Sequence, residues 1–273
     1  MRARMIRIAL TVALCATFVP ISAGGAFARS IDGEFPVAMR DWGQVQPAID
    51  YPYVVYKTEG ETDQEFTDIW AYNIETGQTF PICLAPGEQS NPSVYDGKVV
   101  YSDDRNDPEG TESNSCNIYM YDINTGLESV VASNTEAEGN PFIWGDRVLF
   151  NFWNEGGTGG DIHMVDLSTG IESTVCADAG DQREATVWED YAAWRDQEIG
   201  SNDVALYDFT TDTKEIIADS SAMSNLYYYD PMVGDGVVVY SKQHYTGSFW
   251  ERSIHMYDID SGVETTISAP IGS

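Results

Sequence analysis

The sequence predicts an all-β fold, a five-bladed β-propeller of four-stranded antiparallel blades, and three observations carry that expectation. A ten-residue phrase recurs five times, starting at Asp68, Asn117, Asp161, Asp203 and Ser253. A second phrase of eleven residues precedes each copy, at 46–56, 91–101, 140–150, 184–194 and 230–240. Apolar residues alternate within both phrases at the two-residue period of strands, and helical periodicity is absent after the first residues.

Each element of the repeat follows from its residues. The first phrase holds a short strand, a tight turn such as Asp96-Gly97 or Gly145-Asp146, and a β-branched run ending in Tyr101 or Phe150. This is a hairpin. A polar loop leads to a third strand, as in Ile118-Tyr119-Met120-Tyr121-Asp122, and a turn such as Asn124-Thr125-Gly126 leads to an outer strand near 128–132. The recurring Asp122, Asp166, Asp208 and Asp258 sit beside these turns, where a carboxylate caps backbone N–H groups. One sheet of about 45 residues cannot bury both of its faces, and radial repetition solves that problem. A β-sandwich does not require one four-strand phrase to recur. Ile118 and Met120 are expected to face one neighbouring blade, Tyr119 and Tyr121 the other. The propeller is assigned to 44–273. Within the preceding stretch, 29–43, residues 33–37 resemble the outer strand at 77–82, which suggests a ring-closing strand on the last blade. That blade has an outer-strand candidate of its own at 263–268.

The first 28 residues look like a secretory signal. Arg2, Arg4 and Arg7 precede an apolar stretch over 8–23, and Ala26-Phe27-Ala28 suits a signal peptidase. The expected location is secreted or periplasmic, with no transmembrane segment after signal removal. The chain has 44 acidic against 14 basic residues, for a net charge of −30. That excludes a nucleic-acid partner bound through phosphate neutralisation. Three cysteines follow the signal, Cys83, Cys116 and Cys176, with no Cys-x-x-Cys pair, so packing or a single disulfide is expected rather than zinc.

The phrases Ser102-Asp-Asp-Arg-Asn106, Asn117-Ile-Tyr-Met-Tyr-Asp-Ile-Asn-Thr-Gly126 and Asn91-Pro-Ser-Val-Tyr-Asp-Gly97 resemble the TolB-type, WD40-like propeller repeat of prokaryotic secreted and cell-surface proteins. The resemblance spans 44–268. It implies the fold; the expected partner, a protein or glycan of the cell envelope, is read from the variable-loop face. TolB itself carries an α/β domain ahead of a propeller that is usually six-bladed, and partners a peptidoglycan-associated lipoprotein. Neither the front domain nor a sixth repeat is visible here.

Functional residues are expected on the loops joining second to third strands, which vary most among the repeats. Phe152 and Trp153 in the third blade, and Tyr245, Phe249 and Trp250 in the fifth, offer aromatic surface for a sugar ring or a protein, and Tyr227-Tyr228-Tyr229 lies near them in sequence. Asp103, Asp104, Asp107 and Glu109 supply oxygens suited to calcium, although the Asp-x-Asp-x-Asp-Gly template is unmatched and a solvated acidic loop has the same composition. No other cofactor is expected. His163 and His255 occupy matching strand positions and read as core. No Gly-x-Ser-x-Gly elbow, His-Glu-x-x-His or phosphate loop is present, so catalysis has little support. The leading expectation is a non-catalytic recognition module. The alternative is a secreted glycan-cleaving enzyme using channel carboxylates such as Glu184 and Asp230, which would have to share one cleft.

Overall fold

A computed structural model describes residues 35–38, 43–60, 67–106, 116–134, 136–153, 159–197, 202–221, 223, 225–268 and 271–272. The described chain forms five antiparallel sheets, each with its first strand innermost. Blade 1 comprises β1 (Gln44–Asp50), β2 (Tyr53–Thr58), β3 (Asp68–Asn73) and β4 (Gln78–Cys83). Blade 2 comprises β5 (Gln89–Tyr95), β6 (Lys98–Asp103), β7 (Asn117–Asp122) and β8 (Leu127–Ala132). In blade 3 the strands are β9 (Ala137–Trp144), β10 (Arg147–Trp153), β11 (Gly160–Asp166) and β12 (Ile171–Cys176). Blade 4 follows with β13 (Asp181–Trp188), β14 (Tyr191–Gln197), β15 (Asp203–Asp208) and β16 (Thr213–Ala218). Blade 5 has β17 (Leu226–Gly234), β18 (Val237–Tyr245), β19 (Trp250–Asp258), β20 (Val263–Thr266) and the short β21 (Ile271–Gly272), which extends the outer edge by pairing with β19. The five-bladed architecture is therefore the one the repeats predict.

Local chemistry explains the turns. In the β5–β6 and β17–β18 hairpins both turn residues have positive φ, at Asp96 (48°) and Gly97 (76°) and at Asp235 (48°) and Gly236 (78°). Aspartate and glycine tolerate that region, and its twist matches the flanking strands. At the third-to-fourth strand turns, Asp122 accepts from Asn124 N–H at 2.8 Å, Asp166 from Ser168 at 2.8 Å, Asp208 from Thr210 at 2.7 Å and Asp258 from Ser261 at 2.8 Å. Hydroxyl donation from Ser168, Thr210 and Ser261 holds the last three carboxylates below the ordinary aspartate range.

Packing between blades follows the alternation of side chains. Ile118 and Met120 join the cluster between blades 2 and 3, while Tyr119 and Tyr121 join the one between blades 1 and 2, as the pattern predicts. Further clusters seal blades 3 to 4 and 4 to 5. Hairpin ends are clipped as well: Asp96 N–H donates to Asp50 at 2.6 Å, Lys98 pairs with Asp146 at 3.3 Å, and Arg147 donates to the Glu189 carbonyl. The three cysteines are free thiols in separate repeats, so the expectation of a disulfide gives way to packing. Burial pushes the Cys83 and Cys176 thiols up to about 11.

The boundary between blades 5 and 1 differs from the other four. Among the described residues no hydrophobic cluster joins these blades, and β1 and β17 do not come together as the other consecutive inner strands do. The free face of blade 1 instead carries Val37 and Ala38, packed with Tyr56, Tyr72 and Ile74, and the Phe35 ring lies 6.2 Å from Tyr72.

Candidate binding site at the channel and the blade 5 hairpin

Each innermost strand carries the same irregularity. Two residues oppose one partner on the second strand, at 46–47, 91–92, 140–141, 184–185 and 230–231. The opposed partners are Tyr56, Tyr101, Phe150, Trp194 and Tyr240, all buried. The first residue of each bulge is left-handed, with φ of 51° at Gln46, Asn91 and Asn140, 58° at Glu184 and 52° at Asp230. Asn and Asp adopt this conformation readily, whereas Gln and Glu are strained in it. A left-handed bulge bends the strand and re-aims its side chain. All five residues line one cavity of about 580 Å³ on the axis.

The cavity wall is mostly apolar, with Pro47, Pro92, Pro141 and Pro231 among its lining residues, and its polar residues are held by hydrogen bonds. Gln46 and Asn91 face each other, with Gln46 Nε2 donating to Asn91 Oδ1 at 2.7 Å and Asn91 N–H to Gln46 Oε1 at 2.9 Å. Buried Asn151 accepts from Asn140 Nδ2 and from Glu184 N–H, both at 3.3 Å, and donates to the Gln182 carbonyl at 2.6 Å. Glu184 also pairs with Arg195 at 3.4 Å. The ring thus has three amides on one side and two carboxylates on the other. Glu184 and Asp230 line this same cavity.

An aromatic surface begins where the ring ends. The Arg195 guanidinium lies 5.4 Å from the Tyr229 ring centroid. Tyr229 neighbours Tyr227 at 6.3 Å, Tyr227 neighbours Trp250 at 5.8 Å, and Trp250 neighbours Tyr245 at 5.2 Å. Tyr228 points the other way, into the core. The stretch expected to be a loop, 241–252, is mostly strand: β18 and β19 stay in register to Tyr245 opposite Trp250, and Thr246 N–H donates to the Phe249 carbonyl at 3.0 Å. Phe249 and Trp250 are exposed at its tip. Phe152 and Trp153 are half-buried. Phe152 stacks on His163 at 4.4 Å, and the Trp153 indole packs against the glycines at 139 and 160.

No family model matches the chain, and no curated protein does. Solved structures do. TolB from Acinetobacter baumannii aligns with a TM-score of 0.61 at 18% identity over 88% of this chain and 58% of that one. The putative TolB from Agrobacterium tumefaciens aligns at 0.63 and 14% identity, over 86% and 84%. The fold is a TolB-like β-propeller. A third match, an oligogalacturonate lyase in complex with manganese, has a TM-score of 0.55 at 12% identity over 80% of this chain and 62% of that one. The chain spans under two thirds of the Acinetobacter TolB and of the lyase.

The described part of the acidic loop of this TolB-like propeller is internally engaged. Asp103 is buried and accepts from Arg105 Nε at 2.9 Å and Nη2 at 2.6 Å, while Asp104 accepts from Glu88 N–H. Asp107 and Glu109 lie outside the described residues. A different trio, Cys176, Asp178 and Asp196, brings its donor atoms within 4.8 Å of one another. The Lys214 ammonium bridges the two carboxylates, at 2.8 Å from Asp196, so a metal ion would have to displace it. The TolB-like chain has no helix, among the described residues, long and apolar enough to cross a membrane.

Proposed function

We propose that this protein is a secreted or periplasmic recognition module that binds a protein or glycan of the cell envelope without transforming it. The observation that carries this reading is the continuous run from Trp250 and Tyr245 through Tyr227 and Tyr229 to Arg195 and Glu184 at the channel. Aromatic faces supply stacking surface at little conformational cost, and the adjoining polar ring supplies directional hydrogen bonds. Phe152 and Trp153 add a second aromatic group in blade 3. Calcium at Asp103, Asp104, Asp107 and Glu109 belongs to this proposal without Asp103, whose charge Arg105 already neutralises.

A glycan-cleaving activity is the second reading, supported by Glu184 and Asp230 lining one cavity. Two carboxylates in a chain of charge −30 favour a neutral sugar over an anionic uronate. The test measures binding to immobilised envelope glycans and to detergent-extracted envelope proteins. Replacing Tyr245 and Trp250 together by Ala should weaken binding at least tenfold while leaving the unfolding midpoint unchanged. Polysaccharide turnover that disappears on Glu184→Gln or Asp230→Asn would replace the recognition reading with the enzymatic one.

A further inference from the structure

The repeats show what normally covers each blade face, so the face between blades 5 and 1 can be compared position by position. Val94, Ile143, Val187 and Val233 occupy one position on the inner strands, face the preceding blade, and are 1–7% exposed. Ile49, their counterpart in blade 1, is 60% exposed. Ile69, Ile118, Ile162 and Val204 face the following blade and are 0% exposed, whereas Ile254, their counterpart in blade 5, is 38% exposed. Met232 and Ile267 on the same side of blade 5 are exposed too. Aliphatic residues keep their places on both walls, but among the described residues no hydrophobic cluster joins the two.

The amino-terminal segment shows what belongs between them. Phe35-Pro36-Val37 repeats Phe80-Pro81-Ile82, and Gln44 follows Phe35 at the same nine-residue spacing as Gln89 follows Phe80. Phe80 belongs to the seam where Tyr121 and Ile123 of the next blade pack. Val37 and Ala38 share a cluster with Tyr72 and Ile74, the counterparts of those two residues. Residues 35–38 therefore stand where the outer strand of a blade preceding blade 1 would stand. The last blade keeps β20 as its own outer strand. Among the described residues, nothing supplies the three inner strands that would lie between.

We propose that the space between blades 5 and 1 is a docking slot for a three-stranded β-meander from a second polypeptide, aliphatic on both faces, which completes a sixth blade with residues 35–38 as its outer strand. Burial of Ile49, Met232 and Ile254 would drive the insertion, because exposed aliphatic walls of this kind mark interaction surfaces. A partner that is neutral or basic suits a chain of charge −30.

The test uses a synthetic peptide of residues 89–122, which presents both seam faces of blade 2. Maleimide labelling at position 49 of an Ile49→Cys full-length protein is read by peptide mass spectrometry, and stoichiometry by native mass spectrometry. The expected result is rapid labelling of the protein alone, slowing at least tenfold in a 1:1 complex. Ile254→Asp should abolish the protection, while Leu127→Asp on the exposed outer strand of blade 2 should not. To keep the segment soluble, it is also fused ahead of residue 33, where protection at position 49 is again expected. Slow labelling of the protein alone would overturn the proposal, either as a ring sealed on itself or, with a dimer in the mass spectrum, as a contact between copies. Rapid labelling that neither the peptide nor the fusion slows would overturn it equally.

Discussion

Two equivalent seams solve the same electrostatic problem with different residues. Asp103, opposite Asn117, and Asp196, opposite Asp203, hold the same place at the end of a second strand, both buried beside a cysteine of the preceding blade. Between blades 1 and 2 the cation is Arg105, from the loop. It binds Asp103 in two places, reaches Glu128 at 2.7 Å and stacks 4.0 Å over Tyr119. Between blades 3 and 4 the cation is Lys214, from the outer strand, at the position Glu128 fills in blade 2. Where this position holds an acid the acid is buried, and the source of its counter-charge is free to move. Between blades 2 and 3 the same place holds Phe152, stacked on His163, and no charge is needed there.

This comparison can be broken in graded ways. Arg105→Ala leaves Asp103 buried without a cation and should cost about 3 kcal/mol in urea unfolding, since breaking a buried pair strands its partner. Lys214→Ala should cost less, about 2 kcal/mol, because Asp196 keeps the Gln182 amide at 3.4 Å and no ring stack is lost. Equal losses would show that the guanidinium's extra contacts contribute nothing. The smallest effect concerns Glu138, fully buried between blades 2 and 3, with one oxygen accepting from Asn134 N–H at 2.8 Å and the other unpartnered among the described residues. Burial pushes its pKa up to about 7. A carboxyl raised in the folded state supports folding fully below its unfolded pKa, and that support is lost as pH rises through 7. Its counterparts Gln89 and Gln182 are neutral amides, so Glu138→Gln should raise the urea midpoint at pH 8 and leave it almost unchanged at pH 4. A pH-independent gain would point to packing rather than ionisation.

The repeats made the strands, turns and blade faces legible, because alternation and turn chemistry are local properties. Tyr119 and Met120 could be sent to opposite neighbours by parity alone. The shared cleft of Glu184 and Asp230 was also within reach, since both begin the same recurring phrase. The left-handed bulge that re-aims them was not, because a ladder offset depends on the partner strand. The blade 5 hairpin was mistaken for a loop, since its polar residues hide a register that only pairing reveals. The bare walls at Ile49 and Ile254 escape sequence reading entirely: each residue is aliphatic, as its buried counterparts are, and exposure is decided by whether two distant blades meet.

The zipped hairpin from Ser241 to Arg252 has one more consequence. Its tip residues are already ordered by a ladder of backbone hydrogen bonds, so a ligand gripping Tyr245 and Trp250 spends little free energy on freezing a loop. Among the described residues the tip joins none of the hydrophobic clusters, so its side chains can be exchanged without unpacking the blades beneath.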